Sequence, residues 1–456
     1  GGGGPGSPPP FPDRTGILDL LRMIYHKEGM MAYTHRRRTE LRSETFAMRQ
    51  PLLFTKMVVM CDPQEMKKVF AQERSLGLTV ALPPTVADIH GDDMQMMAPE
   101  KHKVWRRIMA RALTPTALAS YIPVILQHVT QLGDRLKLKS AGRNAVTFLE
   151  ELRATQLRTM GSLLFGFDFE KGDEAKDFDE LEKSFELGLG ALFARRSSDP
   201  NSAHQKGLAA SEKLREWLMA RFLPILEEAK RRRRKRMSLK RGSSGETKQT
   251  SRRPNAMETV AEALLDAPDT PTGPSAEMIA TARDNLYLLL EASHSTSIHA
   301  TTATFGLLLD PANADALQRV RKELEGVKTF TLDDQRTAMP LTLGSIKEAL
   351  RIAPVVDGIV YNLPKDKVLR TGRYTVRGPE LLYMAGAANH MNPEIFPEPR
   401  RFIPERWMPG HERSVGTKGV QALRPFGFGS HLCLGYNLAY LNMSATVYAL
   451  FGRADL

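Results

Sequence analysis

The sequence predicts a mainly α-helical protein with a small β region. Five long stretches carry apolar residues at helical spacing, while strand-like runs are few and short. The chain has 456 residues, 42% of them hydrophobic, enough for one large core. Helices are expected over residues 115–138, 145–164, 211–236, 278–309 and 314–324. The fourth is stopped by Asp310-Pro311, because proline lacks the N–H a helix interior needs. Strands are expected over residues 52–60, which read Leu-Leu-Phe-Thr-Lys-Met-Val-Val-Met, and over 374–376.

Length alone would suggest two or three domains. The motifs below span residues 102 to 435 and must converge, so residues 16–456 are read as a single domain. Residues 1–15, rich in Gly and Pro, read as a flexible leader. The chain contains two cysteines, Cys61 and Cys433, which excludes a disulfide framework. Net charge is +12, but residues 230–253 hold twelve Lys/Arg against the single acid Glu246. The rest of the chain is therefore near neutral. That segment, expected as a basic disordered surface loop over about 230–255, suits contact with an anionic membrane surface. No nucleic acid partner is expected.

The most informative stretch is Phe426-Gly427-Phe428-Gly429-Ser430-His431-Leu432-Cys433-Leu434-Gly435. A lone cysteine framed by glycines and followed by a helical segment suits an axial thiolate on haem iron. Glycines allow φ > 0 turns that bring backbone N–H groups near the sulfur. Gly435 would let the next helix approach a flat macrocycle, and His431 could donate to a propionate. Upstream, Glu348 and Arg351 form E-x-x-R, a spacing that puts both charges on one helix face. Pro404-Glu405-Arg406-Trp407 follows, and His102 and Arg106 form an i, i+4 pair opening a helix.

Together these elements resemble the cytochrome P-450 superfamily, from about residue 50 to about residue 450. The stretches containing His390 and Phe396-Pro397-Glu398-Pro399 match it too. The resemblance implies haem b (iron protoporphyrin IX) sandwiched between a long central helix and the cysteine loop. Cys433 would be the metal ligand. Phe426, Gly427, Gly429, His431 and Gly435 would form the haem-binding loop, and His102 and Arg106 would join His431 on the propionates. Glu348, Arg351 and Arg406 would form a buried triad behind the haem.

The central helix departs from the family pattern of a small residue, glycine, any residue, acid and threonine. Residues 291–297 read Glu-Ala-Ser-His-Ser-Thr-Ser. One register puts His294 at the acid position with Ser295 and Thr296 as hydroxyls, which is similar to the sterol 14α-demethylases. The other puts Ser295 and Thr296 at the acid–alcohol positions and leaves no titratable group. The first is the expected one, with His294, Ser295 and Thr296 lining the oxygen pocket. A second departure lies in residues 354–362, where the family often has a basic propionate ligand. Here only Tyr361 or Asn362 could hydrogen-bond instead.

The resemblance implies a monooxygenase that inserts one atom of O2 into a hydrophobic substrate, with a sterol or lipid as the expected class. Electrons would come from an NADPH-cytochrome reductase or a ferredoxin, since no G-x-G-x-x-G or P-loop is present. Two alternatives are an isomerase or dehydratase of lipid peroxides needing no reductase, and a non-catalytic haem or basic interaction protein. By the same resemblance, an N-terminal anchor helix for the endoplasmic reticulum membrane is expected ahead of residue 1; a soluble cytoplasmic form is the alternative. A further small sheet is expected beyond residue 456.

Overall fold

A computed structural model describes residue 9 and residues 30–49, 56–141, 147–170, 172–240, 254–266, 273–371 and 374–452. The leader at 1–15, apart from residue 9, lies outside these, as do residues 241–253 of the basic segment.

The molecule is built around one central helix, Ala276–Leu309. Its 34 residues span about 50 Å at 1.5 Å per residue. Ser275 caps its start, accepting the Met278 N–H at 3.2 Å, and Asp310-Pro311 ends it as expected. Leu286, Leu290, Ile298, Phe305 and Leu308 join the main core. Around this helix pack Phe148–Met160, Ala203–Lys240, Pro340–Ile352 and Tyr436–Phe451. The Pro340–Ile352 helix starts on a carboxylate. Glu323 accepts the N–H groups of Leu341 and Thr342 at 2.7 and 2.8 Å, supplying acceptors its first turn lacks.

All five expected helices form. The first runs Pro115–Ala141 and the second Phe148–Met160, continued by a π-helical turn at Gly161–Phe165. The third is the middle of Ala203–Lys240, and the last is Ala314–Glu325. The basic segment begins differently from expectation: residues 230–240 continue the helix rather than starting a loop. Nothing there breaks a helix, and Glu227 and Glu228 reach Lys230 and Arg232 at 2.7 and 3.2 Å, supporting the turn.

The β region is a five-stranded sheet ordered β1 (Thr45–Arg49), β2 (Lys56–Met60), β7 (Glu380–Met384), β4 (Ile359–Leu363) and β3 (Thr79–Val80). A separate hairpin pairs β5 (Val368–Arg370) with β6 (Thr375–Arg377). β2 is the second half of the expected strand at 52–60, and residues 52–55 are outside the described set. Strands of two to five residues leave too little alternation to read in advance, which is why β1, β3, β4, β5 and β7 were not expected. Among the described residues no single helix is long and apolar enough to cross a membrane.

Candidate active site

Glu348 and Arg351 sit on the Pro340–Ile352 helix and are fully buried. Arg351 meets the carboxylate in fork geometry, Nε to Oε2 at 2.9 Å and Nη2 to Oε1 at 2.7 Å. Arg406 Nε adds 3.1 Å, the Trp407 indole N–H 3.0 Å and the Ile403 N–H 3.2 Å. The expected triad is therefore assembled, with Trp407 and Ile403 as two donors the sequence did not announce. Arg351 Nη1 also donates to the His390 carbonyl at 2.7 Å, and the His390 ring accepts the Arg424 N–H at 3.2 Å through Nε2. Burial pushes His390 down to about 3, so it stays a neutral acceptor. Arg424 opens the cysteine loop, so this histidine ties triad to loop.

The loop turns through Gly427 (φ +78°) and Gly429 (φ +61°), where only glycine is unstrained. A Cβ on Gly429 would also lie 2.7 Å from the Phe70 ring. The Cys433 N–H closes the turn on the Phe426 carbonyl at 2.8 Å. Cys433 keeps accessible surface although protein encloses it on most sides. That enclosure pushes the thiol up, while the Gly435 N–H and Arg106 pull it back. Gly435 itself has an ordinary φ of −88°, and a Cβ there would meet no atom within 4 Å.

His102, buried on the helix Pro99–Ala110, stacks on the His431 ring at 4.0 Å. Burial takes His102 to about 4 and His431 to about 3, so both are neutral. Arg106 Nη2 donates to the Leu432 carbonyl at 2.6 Å, beside the cysteine. The three expected propionate residues are thus brought together. Among the described residues His431 Nε2 has no hydrogen-bond partner, its nearest acid being Glu73 at 3.5 Å. Alternation along β4 separates the two other candidates. Tyr361 turns inward, its ring 5.9 Å from His431 and its hydroxyl without a partner among the described residues. Asn362 turns out to Thr79 at 3.4 Å.

The central helix reaches the loop through Ala300, which shares a cluster with Ile346, Leu350, Met443 and Phe426. Thr296, one turn before Ala300, and His299, next to it, are exposed, flanked by partly buried Ala292, Ser295 and Ala303. His294 lies two residues from Thr296, about 200° around the helix. Its Nε2 donates to the Arg153 carbonyl at 3.1 Å and its ring packs edge-on against Phe185 at 4.5 Å. His294 is thus packed as a core histidine, turned away from exposed Thr296, where the expected register had it lining the oxygen pocket. Periodicity fixes which residues share a face, not which face meets the loop. His299, whose Nδ1 donates to the Ser295 carbonyl at 2.7 Å, is an exposed histidine on the side of Thr296 that the motif reading did not single out.

The sequence model of the family described as cytochrome P-450 matches residues 9–453. The chain belongs to the cytochrome P-450 family. It is 26% identical over 390 residues to the trichothecene C-15 hydroxylase of Fusarium sporotrichioides, covering 84% of this chain and 74% of that one. It is 27% identical to ent-kaurenoic acid oxidase 1 of Arabidopsis thaliana over 76% of this chain and 64% of that one. Its fold is similar to the retinoic-acid-bound cyanobacterial CYP120A1, with a TM-score of 0.72 at 21% identity, covering 98% of this chain and 92% of the other. A zebrafish cytochrome P-450 with progesterone also has a TM-score of 0.72, at 15% identity, over 93% and 92%.

This P-450 is an oxidoreductase of the monooxygenase class with haem as its cofactor, and the non-catalytic alternative falls away. The residues present fit the group. A soft thiol with residual accessibility, open room beside Gly435 and unpartnered donors on His431, Tyr361 and Arg424 surround one loop. Haem with a thiolate ligand supplies oxygen binding and O–O cleavage.

The two registers make opposite predictions. His294 is pulled by burial to about 4, below its unfolded value near 6.5. Its contribution is full above pH 6.5 and is lost as pH falls from there towards 4, because the unfolded chain then binds the extra proton. His294→Gln should flatten that acid slope by up to about 1.4 kcal/mol per pH unit in denaturant unfolding, with oxygen coupling unchanged. Thr296→Ala should leave the slope alone and lower product formed per electron about tenfold.

Proposed function

We propose that this P-450 inserts one oxygen atom into a hydrophobic, sterol- or lipid-like substrate, with electrons from a separate NADPH-cytochrome reductase or ferredoxin. The observation that carries the reading is the open face of the central helix. Ala292, Thr296 and Ala303 present small and hydroxyl groups within about two turns of Ala300, which packs against Phe426 of the cysteine loop. A hydroxyl there can relay protons through water, and small side chains leave room for an apolar molecule. The names of the relatives, trichothecene and ent-kaurenoic acid, and the retinoic acid and progesterone of the similar structures support a bulky hydrophobic substrate.

Within this reading Cys433 ligates iron, and Phe426, Gly427, Gly429 and Gly435 shape the loop around it. His102, Arg106 and His431 hold propionates. Arg424 and Tyr361 are added to that set, since both carry buried donors with no hydrogen-bond partner among the described residues. Substrate preference no longer leans on His294. The enzyme sits at the endoplasmic reticulum membrane. The exposed helix end at residues 231–237 supports this, because each basic residue near an anionic surface gains about 1 kcal/mol.

The test is reconstitution with NADPH-cytochrome reductase or a ferredoxin system and a panel of progesterone, retinoic acid and ent-kaurenoic acid. The expected result is an NADPH- and O2-dependent product carrying one added oxygen. Turnover of a lipid hydroperoxide without any reductase, and none of the former, would establish the isomerase instead.

A further inference from the structure

Two buried amides link three of the long helices. Gln156, on the helix Phe148–Met160, is 3% exposed, and Asn442, on the helix Tyr436–Phe451, is 2% exposed. Gln156 Nε2 donates to the Ser293 carbonyl of the central helix at 3.1 Å. Asn442 Nδ2 donates to Gln156 Oε1, also at 3.1 Å. Chemistry fixes the direction of this chain. A carbonyl can only accept, so the Gln156 amide must turn its nitrogen to Ser293 and its oxygen to Asn442. The chain starts less than about two turns into the helix that follows Cys433 and Gly435, and it ends beside Ser295 and Thr296.

It ends on a stretch where side chains compete with the backbone. Ser293 Oγ donates to the Leu290 carbonyl at 3.0 Å, Ser295 Oγ to the Glu291 carbonyl at 3.3 Å and Thr296 Oγ to the Ala292 carbonyl at 2.7 Å. Hydroxyls that bond back to their own helix weaken the main-chain ladder and let the helix bend. The next carbonyl in that row, on Ser293, takes its side-chain donor from another helix, through Gln156.

Stability does not call for amides at these positions. Replacing both members of a buried polar pair by apolar groups of the same shape is often neutral. The pair is present although Asn442 Oδ1 is buried with no hydrogen-bond partner among the described residues, which costs stability rather than adding it. What a bond to one chosen carbonyl supplies is register. If the central helix slid or turned by one residue, the Gln156 nitrogen would lose its acceptor.

We propose that Asn442 and Gln156 are positioning residues that tie the Ser293–Thr296 stretch to the helix following the cysteine ligand. The tie sets where the Thr296 hydroxyl stands relative to the Cys433 sulfur. Neither amide has surface left to touch substrate or cofactor, so both act through the central helix. The inference rests on the oxygenase reading of Thr296 but on no particular substrate.

The test uses Gln156→Met, Asn442→Leu and the double variant. It compares denaturant unfolding, product formed per electron with a reductase, and the infrared stretch of carbon monoxide bound to the reduced haem protein. Each single variant should be less stable than wild type, because it strands the partner amide. The double variant should regain most of that stability, yet form about threefold less product per electron and show a shifted or broadened carbon monoxide band. A double variant with wild-type product per electron and a wild-type band overturns the proposal, since the amides then only fill space. If only one of the three variants folds, its carbon monoxide band decides in the same sense. If wild type forms no product with any reductase, the oxygenase reading fails by itself. The carbon monoxide band of the double variant still decides on the tie: moved, it supports the tie, and unmoved, it refutes it.

Discussion

Glu348→Ala is expected to leave no stably folded protein. Five donors converge on that carboxylate: two from Arg351, one from Arg406, the Trp407 indole and the Ile403 N–H. Removing it strands two guanidinium groups inside the core, and breaking a buried pair from one side costs about 3–5 kcal/mol. Each orphaned neutral donor adds about 1–3 kcal/mol. Net stability of a folded chain is only about 5–15 kcal/mol, so the loss approaches the whole. Glu348→Gln keeps the volume and some acceptors but not the charge, and should fall between. Denaturant unfolding followed by circular dichroism checks this. An alanine variant within about 1 kcal/mol of wild type would show that the triad is not a structural keystone.

Cys433→Ala should do the reverse, keeping the fold and losing the chemistry. The thiol keeps accessible surface, and the loop is held by backbone and neighbours. The Cys433 N–H bond to Phe426 and the Arg106 bond to the Leu432 carbonyl survive the substitution. The unfolding midpoint should move little, within the range usual for a substitution away from packed core, about 0.5 kcal/mol. Reductase-driven oxygenation should drop to background, because no other residue of the loop offers a thiolate. Cys433→His should separate binding from chemistry: pigment retained through nitrogen, product absent.

What could be read in advance was what lies close along the chain. The loop from Phe426 to Gly435 is a local turn whose glycines announce their own φ angles. E-x-x-R is a single helical turn, and Pro404–Trp407 supplies its partners in order. The long helices follow from periodicity and from breakers such as Asp310-Pro311. What could not be read needed the third dimension. The facing direction of His294 depends on Arg153 and Phe185, residues on other helices. Pairing of Glu291 with His90 joins positions about two hundred residues apart, with no motif linking them. Helix continuing through residues 230–240 was masked by composition, because a run of basic residues reads as solvated whatever its backbone does.

The claim on which the enzymology depends is a sulfur–iron bond at Cys433. The difference spectrum of the reduced protein with carbon monoxide tests it most directly. A Soret band at the long-wavelength thiolate position, abolished in Cys433→Ala, is the result expected. A wild-type band at the nitrogen-ligated position, or a thiolate band that survives in Cys433→Ala, would contradict it.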